Sequence, residues 1–105
     1  MAHPARALIT RDAESAVDTL GSVVRVAILS FLRRHGPATR GDIAAELAID
    51  TQTVQLQLGH LRRVGVVVGE AIRATGADRH RMIYAVDAAR AAALLAALSA
   101  EVLGA

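Results

Sequence analysis

The stretch DTQTVQLQLGHLRR, residues 50–63, places amide and hydroxyl side chains beside apolar ones. Glutamine can pair with adenine through two hydrogen bonds, and a threonine methyl group or a leucine can contact the methyl group of thymine. Four residues are therefore candidates for contacts with base edges: Thr51, Gln52, Gln55 and Leu56. The alternative is a polar, solvated helix end, in which the threonines are ordinary residues of a first turn.

The same stretch fits two kinds of secondary structure. Its middle, TVQLQL, alternates polar and apolar residues as a half-buried strand does, whereas Val54, Leu58 and Leu61 follow the i, i+4, i+7 spacing of a helix. Asp50 is a suitable N-cap and Gly65 a suitable stop, so we predict a helix. Its N-terminal residues are then the ones that would enter a major groove.

Arginine supplies all 12 basic residues of the chain, and the formal net charge is +2. The guanidinium fork suits phosphate and guanine edges, although a GC-rich genome would produce the same composition. The alternative roles are pairing with Asp78 and Glu70 in a solvated loop, or neutralising a helix end. By position, we predict contacts with phosphate or the minor groove from Arg40, Arg63, Arg73, Arg79 and Arg81.

The residues before this stretch predict three helices. After a loose start over residues 1–9, Thr10 caps a first helix, and a second one from Val23 to Arg34 is apolar on nearly all sides, as expected of a buried helix. Gly36 ends the second helix. Thr39 and Asp42 then form a variant capping box that opens a short third helix.

The residues after the stretch predict a β-hairpin and a last helix. VGVVVGEAIRA and RMIYAV are rich in β-branched residues and flank a turn at Gly76, while Asp87 caps an alanine-rich helix. The order is that of a winged helix-turn-helix, mainly α with a small β-hairpin. We predict one domain over residues 10–105, with the helix-turn-helix at about 39–64, the wing at about 66–86 and the C-terminal helix at about 87–103.

The first and last helices carry more apolar residues than one small chain can cover. Hydrophobic residues make up 53% of the chain, and the last helix has few charges. We therefore predict N- and C-terminal dimerisation helices, the alternative being that both pack only on their own domain. The predicted dimer interface contains Ala13, Val17, Leu20, Leu94, Leu95, Leu98 and Val102.

The stretch LGSVVRVAILSFLRRHGPATRGDIAAEL, followed by DTQTVQLQLGHLRRVGVV, resembles the ArsR-type (arsenic-repressor-like) winged helix-turn-helix transcription regulators. The resemblance covers roughly residues 15–100. It implies a regulator that binds DNA, with its first and last helices paired across a two-fold axis. The matching residues are Leu20, Arg25, Ile28 and Leu29 for the family's leucine, arginine and Ile-Leu pair, and Leu61, Gly65, Val66 and Val67 for its Leu-x-x-x-Gly-Leu-Val ending.

The chain departs from the family where the recognition helix often carries a serine, a basic residue and a histidine. Gln55, Leu56 and Gln57 stand there instead. The family's metal sensors use cysteines, or Asp and His pairs on the last helix, and this chain has no cysteine and no histidine in that helix. With the four histidines also unpaired in the sequence, we expect no metal and no cofactor.

No combination of residues indicates catalysis, because no serine is accompanied by a histidine and an acid, and no glycine-rich phosphate loop occurs. We expect a protein that is not an enzyme. Neither a signal peptide nor a membrane-spanning run is evident, so we expect a cytoplasmic location.

Two functions remain from the sequence. The leading hypothesis is a sequence-specific regulator that binds double-stranded DNA, a dimeric repressor of the bacterial type. The alternative is a winged-helix module for protein–protein interaction without DNA readout. The near-neutral net charge and the outward-facing Leu56 keep the alternative open.

Overall fold

Five helices and one antiparallel hairpin make up residues 8–72 and 81–104, the part of the chain that the computed structural model describes. The predicted fold class, mainly α with a small hairpin, is confirmed. In chain order the elements are α1 (Arg11–Leu20), α2 (Val23–His35), α3 (Arg40–Leu47), α4 (Thr51–Val64), β1 (Val67–Ala71), β2 (Met82–Val86) and α5 (Ala88–Leu103).

Each helix begins at a side chain that accepts a hydrogen bond from the backbone N–H three residues further on, over 2.8–3.3 Å. These bonds satisfy donors that a first helical turn leaves unpaired. The predicted capping box is confirmed in both directions, because Asp42 also accepts from the backbone N–H of Thr39. Four of the five caps are the ones predicted above, Thr10, Thr39, Asp50 and Asp87, and the cap of α2 is Ser22.

The end of α4 is fixed by a glycine and by an arginine from α5. Gly65 has a φ of +94°, a left-handed conformation that residues with a Cβ rarely adopt. Arg90 crosses this end, where its Nε donates to the carbonyl of Val64 at 3.0 Å and its Nη1 lies 3.2 Å from a carboxylate oxygen of Asp12 in α1. The chain therefore leaves the helix in one direction, straight into β1.

The hairpin is joined to the helical part by backbone hydrogen bonds. β1 and β2 pair from Val67 opposite Val86 to Ala71 opposite Met82. Tyr84 also exchanges two hydrogen bonds with Ala38, at 2.8 and 3.0 Å, just before α3 begins. The described part of the wing is thus anchored to the start of the helix-turn-helix.

A single aliphatic core lies beneath α4. Val54, Leu58 and Leu61 are fully buried and confirm the helical reading of the sequence over the strand reading. They pack with residues of α2, α3, the hairpin and α5, among them Ile28, Leu32, Ile43, Val67 and Leu94.

The prediction that α2 is buried on all sides is wrong, because one face of this helix is exposed in the single chain. Val23 is 87% exposed and Val26 is 43% exposed, whereas Ile28, Phe31 and Leu32 face the core. The apolar composition of α2 correctly indicated that the helix contributes to the core. It could not show that the face of Val23 and Val26 is left uncovered in the single chain.

Two predicted segments fall partly outside the described residues. The loose start over residues 1–9 is described only at residues 8 and 9, and the turn around Gly76 lies in 73–80, which is not described. Within the described ranges, no single helix is long and apolar enough to cross a bilayer. Only α1 and α2 together pass on length and composition, with a bend of 89° between them.

Removing the cap of α3 should destabilise the protein. We expect Thr39→Ala to lower the free energy of unfolding by about 1 kcal/mol, because the N–H of Asp42 loses its acceptor. Thr39→Ser keeps the hydroxyl and is the matched control. Urea unfolding of the three proteins measures the difference, and equal stabilities for the alanine and serine variants would contradict the capping role.

Candidate nucleic-acid interface

The four residues predicted to contact bases share one exposed surface at the start of α4. Thr51, Gln52, Gln55 and Leu56 are all exposed, and Leu56 is 70% exposed. The surface is held by Asp50, whose carboxylate accepts from the hydroxyl and the backbone N–H of Thr53 at 2.7 and 2.8 Å. The hydroxyl bond, followed by the backbone bond, lowers the pKa of Asp50 below its usual range.

Gln55 does not stand alone on this surface. Its Oε1 accepts a hydrogen bond of 2.8 Å from Nη1 of Arg40, which is the first residue of α3. Sequence reasoning assigned Arg40 to phosphate and Gln55 to a base as separate contacts. Their pairing depends on how α3 and α4 cross, which the spacing of 15 residues does not reveal.

A second glutamine on α4 is held by an arginine from another helix. Oε1 of the half-buried Gln57 accepts from Nη1 of Arg25 in α2 at 2.9 Å. The same guanidinium donates from Nε to the carbonyl of Thr19 at 3.1 Å and from Nη2 to the carbonyl of Asp18. These carbonyls lie at the C-terminal end of α1, where unpaired acceptors and negative partial charge favour a cation. Arg25 therefore connects α1, α2 and α4.

Only some of the arginines predicted to contact phosphate lie in the described residues. Arg63 is exposed in the last turn of α4, and Arg81 is exposed beside β2. Arg62, the residue before Arg63, lies against the wing. Its Nε is so close to Gly69 in β1 that a Cβ atom placed on this glycine would be only 3.2 Å away. Arg73 and Arg79, the candidates at the wing tip, lie outside the described residues.

His60 lies on α4 beside this charged surface, half-buried and with an unpartnered Nε2 among the described residues. Burial lowers its pKa below the ordinary 6.5, and the positive charges of Arg25 and Arg63 lower it further, while Asp18 opposes them. The ring is thus kept neutral near neutral pH. Sequence reasoning found no role for it because its surroundings come from α1 and α2.

The residues predicted to form a dimer interface divide into three groups. Ala13 and Leu94 have no exposed surface and belong to the core of the single chain. Leu20 and Leu98 are half-buried and pack against that core. Val17, Leu95 and Val102 are exposed, at 47%, 55% and 71%. The last group is therefore the most accessible to another molecule.

An open apolar groove of about 400 Å³ runs between α2 and the first half of α5. Sequence analysis missed it, because its walls come from residues of α2 and α5 that lie far apart along the chain. Its walls include Leu20, Val26, Leu29, Val86, Ala92 and Leu95. Elsewhere in the described residues, no cluster of three or more His, Cys, Asp or Glu side chains that could hold a metal ion occurs.

Comparison with known proteins found one family model and several solved structures that are similar to this chain. Residues 20–70 match the family model described as a helix-turn-helix domain. A search of curated proteins gave no match. The structure is similar to an ArsR family transcriptional regulator, RHA00566, with a TM-score of 0.66 and 20% identity, covering 96% of this chain and 92% of that one.

Two further solved structures have the same fold. Rv0081 of M. tuberculosis is 28% identical with a TM-score of 0.62, covering 98% of this chain and 92% of that one. The MarR family transcription regulator SP03579 is 20% identical with a TM-score of 0.60, covering 94% of this chain and 66% of that one.

The chain therefore carries a helix-turn-helix domain, with β1 and β2 as its wing. Its winged fold is similar to that of the ArsR family regulator RHA00566, in agreement with the resemblance seen in the sequence. These findings support a DNA-binding transcription regulator, a class of protein whose members are usually not enzymes.

The depressed pKa of His60 should make stability depend on pH. Below about pH 6.5 the unfolded chain takes up a proton that the folded chain resists, so the free energy of unfolding should fall as the pH drops through this range. Above this range both states are neutral at His60 and the effect vanishes. Chemical unfolding between pH 7.5 and 5 measures it.

His60→Gln should flatten the pH dependence of stability relative to the unmodified chain. An unchanged pH dependence in His60→Gln would show that His60 is not the responsible group.

Proposed function

We propose that the protein is a sequence-specific regulator that binds double-stranded DNA as a homodimer and acts as a repressor in the cytoplasm. The observation that carries the proposal is the contrast between the two faces of α4. One face is locked into the core by Val54, Leu58 and Leu61, whereas the four candidates for base contacts, Gln52 and Gln55 among them, are exposed.

Phosphate contacts would position α4, and base contacts would specify the sequence. Arg63 is exposed in the last turn of α4 and Arg81 is exposed beside β2, and we propose the same role for Arg73 and Arg79, which lie outside the described residues. With a net charge of only +2, the chain depends on the placement of these arginines rather than on overall charge.

The exposed apolar side chains support a homodimer. Nine large hydrophobic residues are exposed in the described chain. All but Leu56 and Val68 belong to α1, α2 or α5, except Leu8, which lies three residues before α1. Two of them, Val26 and Leu95, line the groove between α2 and α5. A surface of this kind on a small domain indicates a partner, and a second copy offers the same helices in return.

A two-fold dimer would suit DNA recognition. It would carry two α4 helices to half-sites about one helical turn apart. A protein occupying such a stretch of DNA would exclude other proteins from it, which is how the proposed repression would work.

The alternative of a protein-interaction module is favoured by one observation. Leu56 is an apolar side chain, 70% exposed, in the middle of the surface proposed to read DNA. It would suit a hydrophobic groove on a protein as well as it suits a thymine methyl group.

Salt dependence separates the two functions. We expect affinity for genomic DNA fragments to fall steeply as salt rises, because phosphate contacts release counterions. Arg63→Ala should reduce the slope of log affinity against log salt by about one. Arg34→Ala is the matched control, because Arg34 is exposed, lies outside the groove between α2 and α5, and donates to Ser30 of its own helix. A flat salt response with no selected DNA sequence would favour the protein-interaction module.

Light scattering tests the dimer. We expect twice the mass of one chain at micromolar concentration, and the mass of one chain for Leu95→Glu, because a carboxylate would be buried in the interface. Val68→Glu is the matched control, since Val68 on β1 is 52% exposed against 55% for Leu95. Circular dichroism confirms that both variants are helical. A single-chain mass for the unmodified protein would refute the dimer.

A further inference from the structure

We propose that Arg40 determines sequence specificity by positioning Gln55, so that the two side chains read one base pair as a unit. The inference rests on the proposed function, since it concerns how the DNA would be read. It gives Arg40 a role different from a phosphate contact, although its guanidinium keeps donors free for phosphate as well.

The hydrogen-bonding chemistry of Arg40 and Gln55 determines the orientation of the Gln55 amide group. Arginine has only hydrogen-bond donors, so the carbonyl oxygen of the Gln55 amide must face Arg40, as the 2.8 Å contact from Nη1 to Oε1 shows. The oxygen and the nitrogen of an amide lie on opposite sides of its carbon. The two N–H donors of Gln55 are therefore directed away from Arg40.

Fixing this side chain before binding matters for discrimination. A free glutamine on a helix surface samples several rotamers and can present either its oxygen or its nitrogen, which blurs the choice of base. A charge-assisted hydrogen bond favours one arrangement in the free protein, so less freedom is lost on binding. When DNA covers the exposed pair and displaces water, the bond should strengthen.

The backbone supports the pair from both sides. Arg40 directly follows Thr39, whose capping box with Asp42 fixes the first turn of α3. The connection to α4 is short, and it turns at Ala48, which has a φ of +55°. Gln55 follows one turn after the Asp50 cap. Neither residue stands on a long loop, so their separation is set by two capped helices.

The two possible roles of Arg40 predict different measurements. A phosphate contact alone would weaken binding to all sequences alike and reduce the salt slope by about one, without changing the preferred bases. A positioning role would relax the preference at one base pair, the same one that Gln55→Ala relaxes. The pattern of base preference, rather than affinity, is therefore decisive.

The experiment is selection of bound DNA from a random library by the full chain and its variants, followed by affinity measurements on the best site. Gln55→Ala should reduce discrimination at one base pair by about 5- to 150-fold. Arg40→Ala should relax the same base pair, and the double variant should discriminate there no worse than Gln55→Ala alone. Arg40→Lys keeps a cation of similar reach and should retain part of the preference.

Two controls make the result specific. Arg63→Ala should weaken binding without altering the base profile, and Gln52→Ala should alter a different base pair. Thermal unfolding checks that every variant is folded, which is expected because all four positions are exposed.

The outcomes separate this proposal from the proposed function. An unaltered base profile for Arg40→Ala, or relaxation at a base pair other than that of Gln55, would overturn the positioning role while DNA recognition stands. If the unmodified chain selects no sequence at all, both proposals fail together.

Discussion

The orientation of α4 depends on the burial of one stripe of aliphatic side chains. Val54, Leu58 and Leu61 are fully buried, and burial of each such side chain contributes roughly 1.5–3 kcal/mol. Because successive residues of a helix are separated by a constant angle, locking this face inward determines which residues face outward. The exposed position of Gln52, Gln55 and Leu56 is thus a consequence of core packing rather than of their own chemistry.

Polar contacts add to the packing that sets the orientation of α4. Arg25 links the end of α1 to Gln57 on α4, and Arg40 links the start of α3 to Gln55. Both arginines come from outside α4 and donate to a glutamine oxygen on it. Neighbouring helices therefore hold α4 on its polar side as well as on its apolar side, which limits rotation of α4 about its own axis.

Local signals made much of the fold predictable. Asp50, Thr39 and Gly65 act on backbone groups within a few residues of themselves, so the bounds of α3 and α4 could be read from the sequence. The contacts of Arg25 and Arg40 could not, because they span 32 and 15 residues and depend on the crossing of helices. For the same reason, spacing alone assigned Ala13 and Leu94 to a dimer surface, whereas packing of α1 on α5 buries both within one chain.

The composition of the core explains why apolar surface is left over. With one Phe, one Tyr and no Trp, the chain fills its interior with small aliphatic residues that allow helices to approach closely but cover little of one another's flanks. The groove between α2 and α5 is one such uncovered flank. A partner packed against the exposed residues of α1 and α5 would contact the same helix, α1, whose last carbonyls Arg25 joins to α4. Dimer formation would therefore stabilise the arrangement of helices that exposes Gln55 for the proposed reading of DNA.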